Sequence, residues 1–207
     1  MFVLLTVAIA PALALLSYFY LRKQVAPGPS RSLFYAFIYG IALTFPILFM
    51  QHVFEVEEVF TNDWIRDVIF TSAIEEFFKW FILFIAIYRH AEFHDPYDGI
   101  LYGTSISLGF ATMENILYLL TFGVETAIIR AILPVASHAL FGVVMGYYFG
   151  RARFTKSIKE KRVFALLALS IPFLLHSFYN SIFLIEDFWS YIIGPFMLFL
   201  WWYGLKK

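Results

Sequence analysis

Apolar residues run along the chain in seven stretches of spanning length, roughly at 2–21, 33–53, 64–88, 99–122, 127–150, 163–183 and 188–205, with short polar turns between them. About 20 consecutive apolar residues cross a bilayer as an α-helix. The pattern therefore predicts an all-α, polytopic helical membrane protein with about seven transmembrane helices. The turns leave no space for a soluble unit, so residues 1–207 read as a single membrane-embedded domain. The first stretch lacks a basic segment ahead of it, and Arg22 and Lys23 follow rather than precede the apolar run, so it reads as a membrane helix and not as a signal peptide.

Charge in the turns gives the orientation. Arg22, Lys23 and Arg31 lie in the first turn, Arg89 in the third, Arg151, Arg153, Lys156, Lys159, Lys161 and Arg162 in the fifth, and Lys206 and Lys207 at the end. The second turn (Glu55, Glu57, Glu58, Asp63) and the sixth (Glu186, Asp187) are acidic. Basic residues in every alternate turn place the N-terminus outside and the C-terminus in the cytoplasm.

Composition agrees with a lipid solvent: 61% of residues are hydrophobic, 14% charged, and the mean hydropathy is +0.77. Acidic and basic residues balance at 15 each with no basic tail, which argues against nucleic acid as a partner and leaves membrane lipid. The absence of cysteine removes disulfides, thiolate metal sites and thiol nucleophiles.

Against this background the polar exceptions stand out. Glu75, Glu76 and Lys79 fall in the third stretch, Glu114 in the fourth, His138 in the fifth and His176 in the sixth. A charge near the bilayer centre costs about 2.5–3.5 kcal/mol on insertion scales. At 1.5 Å per residue, Glu75 and His138 come out roughly 16 Å below the outer surface, and Glu114 and His176 roughly 12 Å. Helices 3 to 6 are thus expected to build one polar site between the midplane and the outer face.

On the third helix Lys79 lies about 40° around from Glu75 and about 60° from Glu76, so one carboxylate can neutralise it and the other is available as a general base on water. On the fifth, Pro134, His138, Gly142, Gly146 and Gly150 share a face, a packing ladder that presses His138 inward. On the sixth, His176 and Asn180 stand one turn apart as two donors in line, as an oxyanion site needs. Asp98, before Gly99, is expected to cap the fourth helix. Zinc-protease and nucleophile-elbow motifs and phosphate-binding glycine loops are absent from the sequence. Carboxylates and imidazoles from four helices could instead hold a metal ion. They would also serve a proton-coupled transporter or channel, although no inverted repeat supports that.

The motifs Glu75-Glu76-x-x-Lys79, Asp98-Gly99-x-x-Tyr102-Gly103, Phe110-Ala111-x-x-Glu114-Asn115, His138-x-x-x-Gly142 and His176-x-x-x-Asn180 occur in this order over spans three to six. In these residues the chain resembles the PrsW family of intramembrane proteases, which is similar to the type II CAAX prenyl endopeptidases. The resemblance implies a membrane-embedded protease domain in the bacterial cell membrane that hydrolyses peptides with a glutamate-activated water; no cofactor is expected from the residues, and a metal ion held by the same glutamates and histidines is the alternative. It implies a single-pass membrane protein as substrate, typically an anti-sigma factor, cut on its outer side as the first step of regulated proteolysis. Glu75 matches the glutamate that activates water, and His176 with Asn180 the pair that stabilises the oxyanion. Glu76 and Lys79 would tune the charge of the base. Glu114, standing where the CAAX enzymes have a histidine, would with His138 position the water or the leaving amine.

Overall fold

The computed structural model describes residues 2–23, 30–89, 92–123, 133–185 and 187–207, which form seven helices and no strand. They are α1 (Phe2–Arg22), α2 (Ser30–Val56), α3 (Thr71–Ile82), α4 (Tyr97–Phe122), α5 (Pro134–Phe154), α6 (Ile158–Phe183) and α7 (Trp189–Leu205). Two π-helical turns, Ile65–Phe70 and Leu83–Tyr88, extend α3 at its two ends, so the helical path matches the predicted third stretch. The expected start of the fifth stretch (127–132) and Glu186 of the sixth turn lie outside the described residues. By length and composition α2, α4 and α6 can each cross a membrane.

Two boundaries differ from expectation for local reasons. Lys159, Lys161 and Arg162 belong to the first turns of α6 rather than to a loop. The Ser157 hydroxyl accepts the Glu160 backbone N–H at 3.3 Å and starts the helix early, an N-capping arrangement that hydropathy does not register. Asp98 is not the N-cap of α4: Pro96 holds that position, and Asp98 lies buried in the first turn. Its carboxylate accepts the backbone N–H of His94 at 2.7 Å and pairs with Lys23 at 2.5 Å. Lys23 also reaches Asp95 at 3.3 Å, and Arg22 donates to the Leu205 carbonyl at 2.6 Å. The ends of α1 and α7 and the start of α4 are thereby pinned together.

α4 is the axis of the bundle. Every residue from Asp98 to Thr112 is buried, and α1, α2 and α5 pack around it. Such an approach needs small side chains. A Cβ on Gly103 would run into the Gly142 carbonyl oxygen, and one on Gly146 into that of Gly99, so the ladder on α5 seats directly against α4. The opposite surfaces expose Phe34, Phe49, Phe77, Leu166, Leu174 and Leu198. A bundle with apolar residues on its outside and polar residues within is organised for lipid.

Candidate active site

The third, fourth, fifth and sixth helices bring six of the seven expected residues into one cluster. Glu75, Glu76, Lys79, His138 and His176 are all buried, Glu76 and Lys79 completely. Lys79 Nζ donates to Glu76 Oε1 at 2.8 Å and lies 3.5 Å from Glu75 Oε2. It also stands 3.1 Å from His138 Nδ1 and 4.3 Å from the centre of the Phe110 ring. Carboxylate, imidazole and aromatic face together replace the water that a buried ammonium gives up.

Hydrogen-bond logic fixes the histidine tautomers. An ammonium only donates, so His138 Nδ1 is the acceptor and its Nε2 carries the hydrogen. That nitrogen points between Glu114 Oε2 at 3.4 Å and Glu75 Oε2 at 3.9 Å. His176 Nδ1 lies 3.0 Å from Glu76 Oε1, the oxygen that also accepts from Lys79. An ionised carboxylate only accepts, so Nδ1 carries the hydrogen and Nε2 is left for whatever occupies the cavity that His176 lines. The His138 and His176 rings meet edge to face at 5.1 Å, and Phe141 stacks on His176 at 5.1 Å.

The two adjacent glutamates are therefore unequal. Glu76 accepts from both Lys79 and His176 through Oε1, its Oε2 making no hydrogen bond among the described residues, and it is not among the residues that line the cavity. Glu75 keeps its Oε2 free of any hydrogen bond among the described residues, while its Oε1 accepts from Gln51 Nε2 at 3.3 Å. Glu75, Glu114, His138 and His176 form the floor of a cavity of about 660 Å³. Phe70, Tyr118, Leu133 and Phe183 form its walls, and Glu55, Arg66 and Asp67 lie at its mouth.

Asn180 lines the same cavity but is otherwise engaged. Its Nδ2 donates to Ser72 Oγ at 3.0 Å and to the Asp67 carbonyl at 3.3 Å, clamping α6 to the π-helical turn ahead of α3. Thr71 closes that turn, donating its backbone N–H and its hydroxyl to the Arg66 carbonyl, the five-residue pairing of a widened turn. Sequence reasoning passed over Gln51 and Ser72. A lone amide inside the second apolar stretch was the available signal for Gln51; nothing comparable marked Ser72.

Residues 28–204 match the family described as PrsW family intramembrane metalloprotease. The chain is 48% identical to Protease PrsW of Bacillus subtilis, over all of this chain and 94% of the relative. It is 47% identical to that of Geobacillus kaustophilus, over all of this chain and 91% of the relative. The Clostridioides difficile protein of the same name is 28% identical over 99% of this chain and 89% of its own length.

The chain belongs to the PrsW family.

It is accordingly an intramembrane protease, and the buried polar cluster stands in a peptidase rather than in a transporter. No solved structure matches the chain.

The family's description raises the question of a metal. Glu75, Glu76, His138 and His176 offer oxygen and nitrogen atoms that all lie within 4.8 Å of one another, a donor chemistry that suits zinc. As arranged, however, the set does not fit a divalent ion. The Lys79 ammonium contacts Glu76, Glu75 and His138. An ion held by these atoms would either sit beside a buried cation or strand that cation away from the carboxylates that neutralise it, and an unpaired buried charge is heavily penalised.

Proposed function

We propose that this PrsW-family protease is a seven-span protein of the bacterial plasma membrane, N-terminus outside and C-terminus inside, that cuts a single-pass membrane protein near the outer face. The family resemblance points to an anti-sigma factor as the substrate and to the first cut of a regulated proteolysis. The whole chain would be one protease domain. The observation that carries this reading is that Glu75 lines the cavity, with its buried Oε2 free of hydrogen bonds among the described residues, whereas Glu76 beside it is not among the lining residues and holds Lys79 and His176 through Oε1. The cavity mouth, with Glu55, Arg66 and Asp67, lies on the acidic side of the protein that the positive-inside rule puts outside.

In this mechanism Glu75 takes a proton from water as the oxygen attacks the peptide carbonyl. His138 Nε2–H and Glu114 hold the water. The His176 ring, held by Glu76 through Nδ1, and Asn180, turning one N–H away from Ser72 or Asp67, face the developing oxyanion. When the C–N bond breaks, the proton on Glu75 passes to the amine nitrogen.

The test is cleavage, by purified protein in detergent, of a panel of single-span peptides carrying a dye and a quencher on either side of the outer end of the apolar segment. Cleavage is expected to survive exhaustive chelation, with no stoichiometric metal in the purified protein. Loss of activity on chelation, restored by a divalent ion, would favour the metal-dependent alternative for which the four clustered donors argue. Failure to cut any peptide of the panel would count against the proteolytic mechanism as drawn.

Orientation has its own measurement. Single cysteines introduced into this cysteine-free chain at Glu57 and at Lys156 should label from opposite sides of intact cells, Glu57 from outside and Lys156 only after permeabilisation. Labelling of both from one side would remove the seven-span topology.

A further inference from the structure

We propose that Gln51 is a positioning residue for the Glu75 base, holding one carboxylate oxygen so that the other faces the water. The inference rests on the reading of Glu75 as general base. Gln51 comes from α2, which supplies no ionisable group to the cluster. Leu48, Gln51 and Glu55 line the cavity, and their spacing of three and four residues puts them on one face of the helix. Gln51 sits halfway along that wall, partly buried, below the exposed Glu55. Its amide nitrogen lies 3.3 Å from Glu75 Oε1. Because an ionised carboxylate only accepts, the amide must present its N–H side, whichever way the side chain is drawn.

Among the described residues, the Gln51 amide is the one hydrogen bond made to the Glu75 carboxylate; Lys79 stands off Oε2 at 3.5 Å. Without it the carboxylate would be free to rotate about its last bond, a broad torsion with little intrinsic preference, and Oε2 would no longer be held toward His138 and Glu114. The donor is neutral, and that matters chemically. A lysine or arginine at this position would orient the carboxylate equally well but would stabilise its charged form and weaken it as a base. An amide orients with the least loss of basicity. Alignment of a base within a few tenths of an ångström is worth a large factor in rate, and the contribution appears in the chemical step rather than in substrate capture.

Wild type, Gln51→Met, Gln51→Glu and Glu75→Gln are compared in detergent on one dye-quencher peptide of the panel above, with thermal unfolding recorded for each. Gln51→Met keeps the length and removes the donor. Gln51→Glu keeps the shape and sets an acceptor against an acceptor, so it stays informative if the methionine variant folds poorly. Both are expected to lower kcat about tenfold or more with KM within about twofold, Gln51→Glu being the worse of the two. An inactive Glu75→Gln together with Gln51 variants whose kcat stays within twofold of wild type would overturn the role of Gln51 and leave the base in place. A rise in KM with unchanged kcat would likewise overturn it, making Gln51 a wall of the cavity and no more. Wild-type activity in Glu75→Gln would remove the base itself and the positioning role with it.

Discussion

Glu75→Gln is expected to yield a folded protein whose cleavage rate has fallen by at least about a hundredfold, the usual scale for loss of a general base. The substitution keeps the shape of the side chain. It also removes a buried negative charge that Lys79 approaches only to 3.5 Å, whereas the close 2.8 Å bond of Lys79 is made to Glu76. The lysine therefore retains its main counter-charge, and the unfolding temperature should move little. Glu76→Gln is the informative contrast, because it takes the ionised acceptor from Lys79 and His176 together, and its damage should appear in stability as well as rate. Cleavage of a dye-quencher peptide and thermal unfolding, measured on both variants, separate the two roles. A well-folded Glu75→Gln protein that cuts at the wild-type rate would sink the mechanism.

The bundle was legible because lipid imposes a simple code: each stretch that must satisfy its own backbone hydrogen bonds in an apolar solvent becomes a helix. Ends set by side-chain geometry were harder to read. Ser157 and Glu160 begin α6 well before its apolar run, and the basic residues of its first turns look like a loop when judged by hydropathy alone. The π-helical turns around α3 leave no mark in composition. Yet the Ile65–Phe70 turn supplies the Asp67 carbonyl on which Asn180 rests, and so decides what Asn180 does in the resting state.

The site divides along the same line. Charged residues in apolar stretches announce themselves by their insertion cost, and Glu75, Glu76, Lys79, Glu114, His138 and His176 all come together. Gln51 costs far less to bury and passed as part of an apolar run, although it makes the hydrogen bond that orients Glu75. Which histidine nitrogen carries the proton depends on contacts between helices, and no spacing within one helix contains that information.

Lys79→Met is expected to be the most damaging single change to the stability of the bundle. The lysine is fully buried and bonded at 2.8 Å to a glutamate that is fully buried as well. Methionine fills the same volume but leaves Glu76, and Glu75 beside it, without a cation. Removing one partner of a buried ion pair typically costs about 3–5 kcal/mol, because the remaining charge stays desolvated and uncompensated. The double variant Lys79→Met with Glu76→Gln should recover much of that loss, since replacing both charges with neutral groups of similar size is often tolerated. It should not recover activity, because His138 loses the donor at Nδ1 that sets its tautomer and His176 loses its ionised partner. Unfolding in detergent, followed by temperature for the two single variants and the double, gives the coupling directly. If Lys79→Met unfolds at the wild-type temperature, or if the double variant is as unstable as the sum of its parts, then Lys79 is not the counter-charge around which the two glutamates are buried.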